Sequence, residues 1–189
     1  EGYYFYYLPQ FFGDSEATAD LNESIMNLFG EMIDLGFREM VEDKPLSWSS
    51  VMWDQYRMGD VLAVVLHAYG EAGEQHLAYY YDTVTDTRLY ARDVLAKLGY
   101  AEDTYMQALT AATQERFEIY HDFLAPEERD ETYENGLAWT LSEDNLNPDR
   151  SFVINEFGEL LVWVPLETVD GTYWDVVFPF GTAEAGSAG

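Results

Sequence analysis

Three runs that lie close together decide the fold: Ser49-Ser-Val-Met-Trp-Asp-Gln-Tyr56, Val61-Leu-Ala-Val-Val-Leu-His-Ala-Tyr69 and His76-Leu-Ala-Tyr-Tyr-Tyr-Asp82. Each is rich in β-branched and aromatic residues. Each is cut from the next by a turn-forming cluster, Met58-Gly59-Asp60 first and Gly70 to Glu74 second. Turns this short join antiparallel neighbours, so the spacing predicts a meander. A fourth turn, Val84 to Thr87, leads into Arg88-Leu89-Tyr90.

Upstream, Tyr3 to Leu8 reads as a first strand closed by Pro9. From about Ser15 the period changes: Leu21, Ile25, Leu28, Phe29, Met32 and Ile33 recur at helical spacing. Ser15 or Thr18 is the candidate N-cap, Gly36 a possible stop, and the end falls between Leu35 and Val41. Downstream, a short helix at about Asp93–Leu98 stops at Gly99. A second long helix then carries Tyr105, Leu109, Ala112, the stem of Arg116, Ile119, Tyr120 and Phe123, with Glu102 and Asp103 in its first turn and Pro126 at its end. The acidic stretch Pro126 to Glu134 reads as solvated surface. Ser151 to Val164 holds two strands joined at Asn155–Gly158, and Thr172 to Phe180 is a third after Asp170-Gly171.

The expected architecture is α+β: antiparallel or mixed sheets with two long amphipathic helices, in two modules packed together. Their expected bounds are 1–98 and 99–181, followed by a flexible tail, 182–189. Leu21, Ile25, Leu28, Leu109 and Ile119 are expected to face the sheets of a monomer, because an amphipathic helix must bury its stripe against something.

Composition narrows the function. The 189 residues are 48% hydrophobic and include 15 Tyr, 11 Phe and 5 Trp, enough apolar surface for a core. Against 36 acidic side chains stand 9 basic ones, a formal charge of −27. Nucleic acid and anionic membrane faces carry the same sign and are excluded as unspecific partners. Cationic, neutral or metal partners remain. With no cysteine, disulfides, thiolate metal sites and Cys nucleophiles are absent. The longest apolar runs, Val61 to Leu66 and Leu160 to Pro165, fall far short of the roughly 18–20 residues of a membrane span, so direct insertion is not expected. No charged leader with an apolar stretch is visible after Glu1.

Candidate chemistry is sparse. His67 and His76 sit on neighbouring predicted strands and, with an acid, can approach each other around a metal, but their spacing is that of no zinc motif; His121 stands apart. Asn145-x-Asn147-x-Asp149 with Glu156 at the twelfth place has the ligand spacing of an EF-hand loop. It breaks at position six, where Arg150 replaces the turn glycine, at Pro148, and in the strand that follows. There is no G-x-S-x-G, no G-x-G-x-x-G and no P-loop, and no pair of carboxylates stands out for acid/base work. The residues therefore indicate no catalytic set, metal site or cofactor. Trp163, Tyr173 and Trp174 beside acids are either stacking surfaces or core rings.

Several stretches resemble a known family. Tyr7-Leu-Pro-Gln followed by Leu21-Asn22-Glu23-Ser24-Ile25 looks like the start "P-x-I … I-N-x-x-I" of the extracytoplasmic domain found in RsiV-type anti-sigma factors and attached to some peptidoglycan deacetylases. His76 to Asp93, HLAYYYDTVTDTRLYARD, resembles its "N-x-D-x-x-T-G-K-x-L-x-L-x-D-L-F". Phe152 to Phe180, FVINEFGELLVWVPLETVDGTYWDVVFPF, resembles its close "F-Y-x-x-x-x-G-L-x-x-x-x-x-P-Y-E-I … G-x-x-x-x-x-I-P-F". Asp86-Thr87-Arg88 replaces T-G-K, and Pro165-Leu166-Glu167-Thr168 replaces P-Y-E-I. The resemblance implies a non-enzymatic sensor or ligand-binding domain outside the cytoplasmic membrane. In the RsiV type the ligand is lysozyme, and its binding leads to release of a sigma factor.

The expectation is thus an extracytoplasmic binding domain of a bacterial envelope protein, with a cationic protein such as lysozyme as partner. Two alternatives stay open: a domain that binds or helps process cell-wall glycan, and a structural spacer. The expected docking edge is the C-terminal hairpin around Trp163, Pro165, Glu167 and Tyr173, where rings, a carboxylate and a proline that interrupts strand pairing come together. The equal alternative is that Trp163 is core and Pro165 blunts an edge strand.

Overall fold

The computed structural model describes residues 4–41, 49–70, 73–125 and 129–182, apart from the side chains of 4–6, 31–41 and 49. Tyr3, Pro126 to Glu128 and nearly all of the tail lie outside these residues, as do the side chains of Met32 and Ile33. The fold is α+β. The chain divides into two compact units, Glu1–Tyr90 and Ala91–Gly189. The division falls ahead of the short helix expected to close the first module, so that helix belongs to the second.

In the first unit, β1 (Tyr4–Tyr6) is followed by α1 (Glu16–Val41), β2 (Ser49–Met58), β3 (Val61–Gly70), β4 (Gly73–Asp82) and β5 (Thr87–Leu89). The strands lie in that order in one sheet, β1 parallel to β2 and the others antiparallel. The β2–β3 hairpin is closed by Met58 opposite Val61, with Gly59 at φ 61° taking a left-handed position that a side chain would resist. Helix α1 starts where Thr18 N–H meets the Ser15 hydroxyl, so Ser15 is the cap. The helix runs through Gly36. Leu21, Ile25 and Phe29 bury against Val51, Val64, Leu66 and Ala68, joined by Phe11. The Asn22 amide accepts from Phe11 N–H and donates to Phe11 C=O, tying the loop after Pro9 to the helix.

In the second unit, α2 (Ala91–Lys97), α3 (Glu102–Tyr120) and α4 (Glu131–Thr140) precede β6 (Phe152–Ile154), β7 (Leu160–Thr168) and β8 (Gly171–Val177). The antiparallel sheet has the order β6-β7-β8, and α3 and α4 pack on β7. Helix α2 ends at Gly99, φ 84°, whose neighbour Tyr100 returns its N–H to Leu95 C=O.

Two of the five expected core residues are misplaced. Leu28 is 45% and Ile119 51% exposed, whereas Leu21, Ile25 and Leu109 are sealed. Successive helical residues are turned by about 100°, so a sheet contact that takes the row 21-25-29 leaves Leu28 to one side. In α3 the buried row is Tyr105, Leu109, Thr113 and Phe117. Tyr105 and Leu109 belong to the expected stripe, whereas Thr113 and Phe117 stand in the buried row where Ala112 and Ile119 were expected. Of the acidic stretch, Arg129 and Asp130 lead into α4, whose Tyr133 is buried although Glu131 and Glu134 remain exposed.

Candidate functional site

The four residues expected to form a docking edge do not share one surface. Trp163 is 7% exposed and Pro165 is buried, while Tyr173 is 50% exposed. In the register Leu166 faces Tyr173 and Glu167 faces Thr172, which puts Tyr173 and Glu167 on opposite faces of the sheet. Pro165 does not interrupt pairing. It lies opposite Trp174 on the central strand, and its side of β7 explains why a proline fits. On that side Trp163 N–H donates to Ser151 C=O, and Glu167 N–H donates to the Thr140 hydroxyl, because β6 has already ended. Pro165 occupies the one position between them where no donor is required.

Glu167 opens into a groove of about 700 Å³ between α4 and the β7–β8 turn. Its walls include His121, Asp130, Asn135, Trp139, Val169 and Thr172. The glutamate is held from three sides. Its amide is bonded to Thr140, its stem lies against Gly136, where an added Cβ would sit 3.7 Å from Glu167 Cγ, and its Oε2 accepts from the Thr172 hydroxyl at 2.7 Å. Across the groove Trp139 is 41% exposed, and its backbone carbonyl is capped by the Ser142 hydroxyl and the Asn145 side-chain amide. Asp130 caps the start of α4, accepting from Thr132 and Tyr133 N–H. His121 is 3% exposed, stacks on Phe117 with ring centres 4.1 Å apart, and donates Nδ1–H to Phe117 C=O. The lining residues include two carboxylates and no lysine or arginine.

Trp139, Asn135 and Gly136 lie outside the sequence-based site, just past the acidic stretch Pro126 to Glu134. The legible sign was Asp130 followed by Tyr133, Gly136, Leu137 and Thr140 at helical spacing.

The EF-hand-like string has other work. Asn145 caps α4, Asn147 turns back onto Glu143 C=O and accepts from Asp149 N–H, and Asp149 is paired with Arg92 Nε at 3.1 Å. Arg150 at the position of the turn glycine donates to the Asn145 and Asp144 carbonyls.

A second cluster lies in the first unit. His67 and His76 face each other in the β3–β4 register with their Nδ1 atoms 2.6 Å apart. Asp54 Oδ2 stands 3.3 Å from His67 Nε2, and Glu74 Oε1 stands 2.8 Å from His76 Nε2. Burial lowers both imidazoles, against Asp54 for His67 and together with the charge of His67 for His76, which is pushed down to about 4. Burial also raises Glu74, a shift opposed by its hydrogen bond from Tyr69. The sequence placed the two histidines on adjacent strands; the register makes them direct partners.

No protein-family model, curated protein or solved structure matches the chain. The resemblance to the RsiV-type domain therefore stands on the quoted motifs alone.

Proposed function

We propose that this chain is a non-catalytic ligand-binding domain of a bacterial envelope protein, acting outside the cytoplasmic membrane, whose second unit receives a basic side chain of a cationic protein such as a lysozyme. One observation carries the reading: the groove sets an exposed indole, Trp139, and a preset carboxylate, Glu167, on its walls with no lysine or arginine lining it. A lysine or arginine entering there gains an ion pair and a face-on contact with the indole, an arrangement worth about 0.5–2 kcal/mol for the ring contact. The charge of −27 draws such a partner in and speeds its encounter, an effect that weakens as salt rises. The motif resemblance supports the extracytoplasmic setting. Among the described residues no helix is long and apolar enough to cross a membrane.

The test is a calorimetric titration with a c-type lysozyme at low and high salt, on the wild type, Trp139→Ala and Glu167→Lys. The reading requires binding that weakens with salt and is lost in Glu167→Lys while circular dichroism stays unchanged. Unchanged affinity in both variants, or no binding at any salt, discards it. A second reading, neutral cell-wall glycan, is favoured by Thr132, Asn135 and Thr172 beside the same indole, which suit a sugar's hydroxyls and ring face. It predicts glycan binding that is lost in Trp139→Ala and insensitive to salt.

A further inference from the structure

We propose that the outer edge of β2 pairs antiparallel with the same edge of a second copy of this chain, joining two first-unit sheets into one. β2 runs for 10 residues, but β1 covers it only from Ser49 to Val51. Beyond that point Met52 to Gln55 and Arg57 are exposed. A long bare edge is a template for another strand. β8, the outer strand of the second sheet, is not bare in this way, because Val176 N–H is turned onto the Asp175 carboxylate.

The hairpin fixes which groups face outward. Met58 and Val61 flank a two-residue turn and exchange both backbone bonds, so the even-numbered residues of β2 bond to β3, while Val51, Trp53, Gln55 and Arg57 turn N–H and C=O to the outer edge. Val51 obeys this alternation: its carbonyl accepts from Tyr7 N–H at 2.9 Å. Among the described residues the outward groups of Trp53, Gln55 and Arg57 have no partner. Two identical edges related by a twofold axis engage all three only when Gln55 meets its own copy and Trp53 meets Arg57. Setting Trp53 against Gln55 instead brings Asp54 onto Asp54 and Arg57 onto Val51, whose carbonyl is taken. Setting Gln55 against Arg57 runs Trp53 into the turn at Gly59.

The side chains agree with that register. Trp53, 40% exposed, lies beside Arg57 of the second copy on one face, a guanidinium–indole contact made twice by symmetry. Asp54 meets Tyr56 on the other face, and no like charges are opposed. In a chain with 36 acidic side chains, Arg57 makes no ion pair or ring contact among the described residues. The charge of −27 on each copy opposes the contact, and one strand from each side is a small interface, of the transient class below about 1,200 Å². The pair therefore forms at high concentration and tightens as salt screens the repulsion, the opposite of the response expected for a cationic partner. The monomer expected from the sequence is the dilute form.

The test is sedimentation velocity from micromolar to millimolar protein at low and high salt. The expected result is a mass that rises from one chain toward two with concentration, further at high salt. Gln55→Pro should hold the chain monomeric with an unchanged circular dichroism spectrum, since the amide it removes faces outward and bonds nothing within β2–β3. Because the chain has no cysteine, single-cysteine variants test the register without relying on the proline. Gln55→Cys should form a disulfide-linked dimer on mild oxidation and Met52→Cys should not, because only position 55 meets itself within the roughly 7 Å that a disulfide spans. A single chain at every concentration and salt, association that weakens with salt or persists in folded Gln55→Pro, or equal cross-linking of the two cysteine variants overturns the proposal.

Discussion

Leu109 and Ile119 lie on the same helix and carry similar hydrophobic mass, yet the fold treats them oppositely. Leu109 is sealed in the row Tyr105, Leu109, Thr113, Phe117, and Ile119 is half in water. Leu109→Ala should cost about 2–5 kcal/mol, since it removes a buried side chain and leaves a cavity. Ile119→Ala should fall within about 0.5 kcal/mol of the wild type. Urea unfolding of the two variants measures both, and equal losses would show that the buried row is misplaced. The row itself was only partly visible in sequence. Thr113 carries a hydroxyl and so gives no apolar signal, but its side chain is small enough to lie in the core.

Among the elements, α4 is where charge concealed structure. Its N-terminus rests on Asp130, whose carboxylate takes two backbone N–H groups, and its C-terminus on Ser142 and Asn145, which cap Trp139 C=O. Asp130→Ala should therefore destabilise the second unit by about 0.5–2 kcal/mol and loosen the groove wall that carries Trp139. Thermal unfolding reads the first effect and quenching of tryptophan fluorescence the second; a variant as stable as the wild type would show that the cap is dispensable. The strands were more legible. β2, β3 and β4 extend the runs read from the sequence by only a few residues, because the two-residue turn at Gly59–Asp60 and the pairing of Gly70 with Gly73 leave little freedom of register.

For the whole molecule, the excess of 36 acidic over 9 basic side chains opposes compaction. Screening shortens to about 3 Å at 1 M salt from about 30 Å at 0.01 M, so added sodium chloride should raise the melting temperature steadily over that range. A flat or falling melting temperature would show that the carboxylates are spaced or paired well enough to be harmless. Among the described residues Arg88 pairs with Asp20, Arg92 with Asp149 and Arg116 with Asp175, and even full pairing of the 9 basic side chains would not neutralise 36 acidic ones. Most of the negative charge is left to solvent and to any cationic partner.

The sequence by itself determined the α+β class, the meander, the C-terminal hairpins and the start of α1, because these rest on local facts: period-two runs, glycines at left-handed turn positions and a serine at a helix start. It also placed His67 and His76 on neighbouring strands. Only the tertiary structure decided which side of each helix is buried, since that depends on the width and position of the sheet it meets. It alone separated Tyr173 from Glu167 by strand register, and it gave Pro165 the single place on β7 where no amide is needed. The groove of Trp139 and Glu167 joins residues far apart in the chain, and the facing of two imidazole Nδ1 atoms depends on side-chain rotation. Neither is written in any local pattern: the groove arises from packing between elements that the chain order does not bring together, and the imidazole contact from side-chain rotation within a hairpin that it does.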